Sequence, residues 1–346
     1  MLTDTPGLHH VTGLVGDPQE AIDFYAGVLG LRLVAQTVNF EDILQHHLYF
    51  GDAAGTPGTV LTHFPDPHAE PGRVGKPQVA AVAFAVPEGC LEFWRDRLTD
   101  HGIAIEGPLE RFDERLLRFE DPVGTRLELV AVPSDAPVST ASTGTEPWTE
   151  GPIPDDAAIR ALHGVATLSG NPYATAGMLE TLGFEYEAER DDRIRYRAAG
   201  DRATVVDVLD RDAPFGREGP GTLHHVAVRV EREDDLHRWR DLFDERGHDV
   251  SRVKDRHFFH SLYVREPGGV LFELATETDS VAASGPTGGP GESLHLPDWF
   301  ERDRDLIESQ LPALTVPTGS KRSDGDTKDA TTDDSTTDDA TVDADR

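Results

Sequence analysis

Two stretches of the chain read His-His-Val, at His9-His10-Val11 and His224-His225-Val226. Two more read Gly-x-x-Leu/Phe-Glu-Leu and carry Glu128 and Glu273. Imidazole and carboxylate together suit a divalent transition metal, and two histidines with one carboxylate leave adjacent positions of an octahedral ion free for other ligands. A single strand histidine is ordinarily structural and a single strand glutamate ordinarily solvated, so the candidate chemistry depends on whether these groups share a face.

Successive strand residues point to opposite sides, and a one-residue shift moves a side chain across the sheet. Aligned on the following valine, His10, Ala81, Gly164 and His225 form one column, and His9, His163 and His224 form the neighbouring one. The last strands place Thr62, Glu128 and Glu273 together.

These columns come from an internal repeat. HHVTGLV (9–15) recurs as HHVAVRV (224–230), EFWRDRLTDHG (92–102) as LHRWRDLFDERG (236–247), and EDPVGTRLELVAV (120–132) as REPGGVLFELATE (265–277). Each copy reads as a β-branched strand, a helix closed near glycine, and three short strands between turn residues. The expected class is α+β, with four βαβββ modules at 7–66, 77–132, 159–211 and 221–276 paired into two open eight-stranded barrels. Pairing the first module with the second gives His10, Ala81 and Glu128; the third with the fourth gives Gly164, His225 and Glu273; the second with the third gives no histidine. Pairing the first with the fourth assembles His10, His225 and Glu273.

PSDAPVSTASTGTEPWTEGPIP, within 133–158, reads as a linker between the duplicated halves 7–132 and 159–276. The matching connectors PGRVGKP (71–77) and FGREGPG (215–221) are glycine-rich but lack the pattern of a phosphate loop. Residues 290–314 carry Leu and Trp at near-helical spacing and should dock on the body, and 318–346 is an acidic tail expected to be disordered. Trp94, Trp239, Phe24 and Phe243 fall on helix faces and read as core. Cys90, the one cysteine, reads as a small buried filler.

The chain has 346 residues with 64 acidic against 32 basic, a formal charge of -32. That balance opposes nucleic acid and anionic membranes as partners. Acidic residues run through the folded part and lysine is scarce beside arginine, which suits a salt-adapted, halophilic surface. The N-terminus has no signal-peptide pattern and no run of about 18 apolar residues occurs, so a cytoplasmic location is expected. A homo-oligomer is left open.

At these residues the sequence resembles the vicinal oxygen chelate superfamily (glyoxalase, bleomycin resistance and extradiol dioxygenase proteins), and within it the hydroquinone-type ring-cleaving dioxygenases. The likeness runs over roughly 7–314 through HHVTG, TVNFED, HLYFGD, VLTHFP and LPDWFE. LYVREPGGVLFE (262–273) is similar to the extradiol signature at Tyr263 and Glu273. Catechol-cleaving relatives carry a histidine before that tyrosine where this chain has Arg256, a departure that favours hydroquinone over catechol.

The resemblance implies a non-haem Fe(II) enzyme, or Mn(II), held by His10, His225 and Glu273, acting on a small aromatic substrate and O2. Arg256 would hold an anionic oxygen and Tyr263 would bond the substrate hydroxyl. Without the family they read equally as a surface ion pair and a half-buried strand tyrosine. Thr12, on the face of His10, could orient substrate or water. His9 and His224 could reach the site as acid or base groups. Two alternatives stand beside this reading. A glyoxalase-like lyase or isomerase would want a fourth ligand where Thr62 stands, and a non-catalytic small-molecule binder would not need the complete triad.

Overall fold

The computed structural model describes residues 2–133, 135–137, 144–277, 280–282 and 291–317. The expected acidic tail at 318–346 lies outside the described residues. The fold is mixed α+β and dominated by sheet: seventeen strands join into one hydrogen-bonded sheet that does not close. Two open eight-stranded barrels were expected, but a Leu223↔Val79 pairing runs the strands of the first and fourth repeats on into those of the second and third. The seventeenth strand arises because the fourth repeat splits one strand into β14 (Asp249–Val250) and β15 (Lys254–Asp255).

The first strands set the architecture. β1 (Leu8–Val15) runs antiparallel to β13 (Thr222–Val230), and β5 (Gln78–Pro87) antiparallel to β9 (Ala161–Leu168). The first repeat therefore meets the fourth, and the second meets the third. The connectors that matched in sequence also meet, with Arg73 and Arg217 exchanging backbone hydrogen bonds at 2.8 and 2.9 Å.

The longer helices of the repeats bury apolar side chains against the sheet. Trp94 on α2 (Leu91–Asp100) and Phe243 on α4 (Glu233–Glu245) are fully buried, and Trp239 and Phe24 are buried with them. Cys90 is buried ahead of α2, and burial pushes its thiol up to about 11, so it stays inert at neutral pH. The described part of the 133–158 segment also packs down: Trp148, Ile153 and Ala157 are buried, and the Trp94 indole donates to the Ala157 carbonyl at 2.9 Å. Near the C-terminus, α5 (Asp298–Glu301) and α6 (Arg304–Gln310) lie on the hairpin of β2 (Arg32–Asn39) and β3 (Asp42–Gly51), with Ile307 and Leu296 against Val38. Trp299 and Phe300 pack edge-on against Phe40, at 5.8 and 5.6 Å between ring centroids. No described helix is long and apolar enough to cross a membrane.

Candidate metal centre

Five adjacent strands present one concave face. In order they are β4 (Val60–Pro65), β1, β13, β17 (Leu271–Thr276) and β16 (His260–Arg265). The pairings Thr62↔Thr12, Thr12↔His225, His10↔Ala227↔Glu273 and Glu273↔Tyr263 bring these side chains to one place. His10, His225 and Glu273 each offer a ligand atom within 4.8 Å of the others, and all three are buried.

A β-bulge falls at the first histidine of each doublet, where the β1–β13 register slips past His9 and past His224. Simple alternation sends these two rings to the opposite face. The bulges re-aim them, so that His9 Nδ1 lies 2.9 Å from His10 Nδ1 and His224 Nδ1 lies 2.7 Å from His225 Nδ1. For His10 and His225 to offer Nε2 as a ligand, each must carry its proton on Nδ1 and donate it to the preceding histidine. The doublet thereby sets the tautomer of its own ligand. Burial pushes His225 down to about 4, which keeps its ring neutral with a free lone pair at pH 7.

The carboxylate provides the test of whether a cation fits. His225 Nε2 and His10 Nε2 lie 2.8 and 3.3 Å from Glu273 Oε2, yet neither carboxylate oxygen has an aligned hydrogen-bond donor among the described residues. Burial raises the Glu273 pKa, and the two histidines more than offset it, leaving the group ionised. The other half offers a comparison. Glu128 occupies the same position on β8 (Arg126–Val132), but Arg111 grips it with bonds of 2.8 and 2.6 Å, and Arg118 adds one of 3.4 Å. Ala81 and Gly164 stand there in place of the histidines. A buried carboxylate needs a counter-charge: Glu128 has guanidinium groups, whereas Glu273 has two imidazoles aimed at a common point, a donor set that fits a divalent metal.

Beyond the ligands, Arg256 Nη2 donates to the Tyr263 hydroxyl at 3.2 Å, and both line the chamber with Asn39, Phe40, Phe64 and Phe259. Burial and Glu273 push the Tyr263 hydroxyl well above its ordinary value, so it stays protonated. Burial works against the Arg256 charge, and Tyr263, Glu41 and Glu273 more than compensate.

Sequence reasoning missed a chain of four side chains. The Tyr49 hydroxyl is 3.1 Å from His47 Nδ1, His47 Nε2 is 2.9 Å from Thr62 Oγ1, Thr62 is 2.9 Å from Thr12, and Thr12 Oγ1 is 3.0 Å from His225 Nε2. Burial and the Glu273 charge raise the Tyr49 pKa, so its hydroxyl remains a donor. If it donates to His47, the bonds run the same way as far as the Thr12 hydroxyl, which reaches His225 Nε2 and is released towards the site when that nitrogen ligates a metal. The signal lay in HLYFGD, where His47 and Tyr49 alternate onto one face of β3 and Tyr49 is paired with Thr62. Thr62→Val, nearly isosteric, should interrupt the chain and lower turnover about 10- to 100-fold, with Thr62→Ser restoring most of it, in side-by-side steady-state rates.

The Glyoxalase/Bleomycin resistance protein/Dioxygenase superfamily matches residues 7–129 and 178–274. A Bacillus subtilis protein provisionally named the ring-cleaving dioxygenase MhqO is 41% identical over 312 residues, covering 90% of this chain and 97% of that protein. A Sphingobium indicum protein named chlorohydroquinone/hydroquinone 1,2-dioxygenase is 34% identical over 280 residues, 78% of this chain and 84% of its own. A crystal structure of a provisionally assigned B. subtilis dioxygenase superposes with a TM-score of 0.85 at 40% identity, covering 91% of this chain and 99% of that one. A maize glyoxalase I structure, 17% identical with a TM-score of 0.59 and covering 81% of this chain and 95% of its own, shares the fold. The sequence, the sheet and the buried His-His-Glu cluster agree that this chain belongs to the Glyoxalase/Bleomycin resistance protein/Dioxygenase superfamily.

Proposed function

We propose that the chain is a metal-dependent ring-cleaving dioxygenase that inserts O2 into a hydroquinone-type aromatic ring, with Fe(II), or Mn(II), held by His10, His225 and Glu273. The observation that carries this reading is the buried two-histidine, one-carboxylate set, whose carboxylate lacks the arginine partners of its counterpart Glu128. Bound there, the metal supplies open positions for substrate and dioxygen and a path for electrons between them.

The protein's own groups do the rest. Arg256 holds an ionised substrate oxygen by charge-assisted hydrogen bonds, and Tyr263 donates to a ring hydroxyl. Thr12 directs its hydroxyl at the reacting face. Phe40, Phe64 and Phe259 wall the ring from water, while His9 and His224 orient the ligand imidazoles. In this reading the chain comprises four βαβββ modules, 7–66, 77–132, 159–211 and 221–276, the first and fourth closing an open barrel around the metal. Thr62 stands where a fourth protein ligand would be, and its bonds to Thr12 and His47 disfavour the glyoxalase-like lyase.

Oxygen uptake after anaerobic Fe(II) loading, in high-salt buffer, tests the proposal. Uptake with hydroquinone well above that with catechol is expected. Uptake with catechol alone would refute the assignment of Arg256, and none with either ring would refute the dioxygenase.

A further inference from the structure

The chamber opens outward into a vestibule of about 430 Å³ bordered by Glu41, Glu218, His224, Lys254, Arg256 and Tyr263. One ion-pair cluster crosses this mouth. Glu41, in the turn between β2 and β3, places Oε1 2.7 Å from Lys254 Nζ and 3.1 Å from Arg256 Nη2, and Oε2 2.8 Å from Arg256 Nη1. Its carboxylate is chelated by two cations in the plane that a guanidinium fork prefers. Burial raises its pKa, and the bonds to Arg256 and Lys254 bring it down to about 2.

Lys254 is one of only four lysines in a chain of charge -32, and its ammonium lies 5.3 Å from the Tyr263 ring centroid. Such a chain repels anions at long range. A local pair of cations at the entrance reverses that repulsion where a substrate must pass. Glu41 itself is half exposed, so its carboxylate can turn into water while Lys254 and Arg256 stay at the mouth. Lys254 and Arg256 face Glu41 and Glu218, a balanced set; once Glu41 leaves, one positive charge is uncompensated.

We propose that Lys254, with Arg256, recognises a carboxylate carried on the aromatic ring, and that Glu41 is an intramolecular stand-in for that group. The preferred substrate class is then a carboxylated hydroquinone. This rests on the reading of the site given above, and it assigns Lys254 and Glu41 as specificity residues outside the metal cluster. If Glu41 were only a latch closing the hairpin over the chamber, removing its charge would weaken the binding of every ring. A stand-in predicts the opposite sign for an anionic ring.

The test is calorimetric binding of 2,5-dihydroxybenzoate and of hydroquinone to the metal-loaded protein, without oxygen, for wild type, Lys254→Gln and Glu41→Gln. Wild type should bind the carboxylated ring more tightly. Lys254→Gln should raise its Kd about tenfold and change that of hydroquinone by less than about twofold, while Glu41→Gln should lower the Kd of the carboxylated ring about 3- to 10-fold. Equal affinity of wild type for the two rings, or Glu41→Gln weakening both alike, would overturn the proposal. Binding that follows the expected pattern in a protein that consumes no oxygen with either ring would uphold it and remove the dioxygenase reading instead.

Discussion

Glu273→Gln should abolish metal retention and lower oxygen uptake by about 10³-fold or more. Both effects have one origin. The side chain is fully buried, and neither oxygen has an aligned donor. Burial withdraws this charge from water, and the groups that face it are the two histidines and, in the loaded protein, a bound cation. The amide keeps the volume and removes the charge, and with it the anionic ligand. The lost activity follows from removing the anionic ligand, since several kcal/mol of metal-dependent barrier lowering corresponds to about 10³-fold. A variant that still retains the metal would show that Glu273 is no ligand.

The third repeat's counterpart of Glu273 is a carboxylate whose loss should cost stability. Asp207 on β12 (Val205–Leu209) bonds Arg195 at 2.8 and 3.1 Å and Arg193 at 2.8 Å, and Arg195 in turn holds Glu114 at 2.6 Å. Arg195 is almost completely buried. Asp207→Ala leaves two guanidinium groups without their shared partner, and breaking a buried pair from one side costs about 3–5 kcal/mol.

The network also fixes a pH dependence. Burial raises the pKa of Glu114, but His163 and Arg195 overcome it and hold the group at about 2, below its ordinary 4.5. Asp207 and Glu128 are likewise lowered by their arginines against burial. A depressed folded pKa stabilises above the unfolded value and is lost as pH falls through the folded one. Stability should therefore decline from about pH 4.5 towards about 2, and less steeply in Asp207→Ala. Denaturant midpoints across that range measure both.

The clustering of His10, His225 and Glu273 was legible in the sequence because strand period and repeat register are local properties. His10, His225 and Glu273 could be placed in columns, and among the pairings one assembled all three. What the sequence hid depends on departures from that period. His9 and His224 were expected to face away locally, and two bulges bring them to the ligand rings. A bulge inserts one residue into a ladder without a residue type that announces it, so alternation could not find it. The joining of the two repeat pairs through Leu223↔Val79 is a long-range contact of the same kind, and the continuous sheet of seventeen strands among the described residues follows from it. His47 and Tyr49 were within reach, since they share a face of β3, but nothing in HLYFGD says that Thr62 stands opposite. The cluster at the mouth joins a turn to a strand 213 residues away, a distance at which charge pattern alone carries no partner.

The most direct test of the central claim is to supply ¹⁸O-labelled dioxygen with hydroquinone to the iron-loaded protein and weigh the product. A ring-opened acid with one labelled atom in its new carboxylate, formed by wild type and absent with His225→Ala, is the result the account predicts. An intact ring, or a product whose new carboxylate oxygen comes from water, would contradict it.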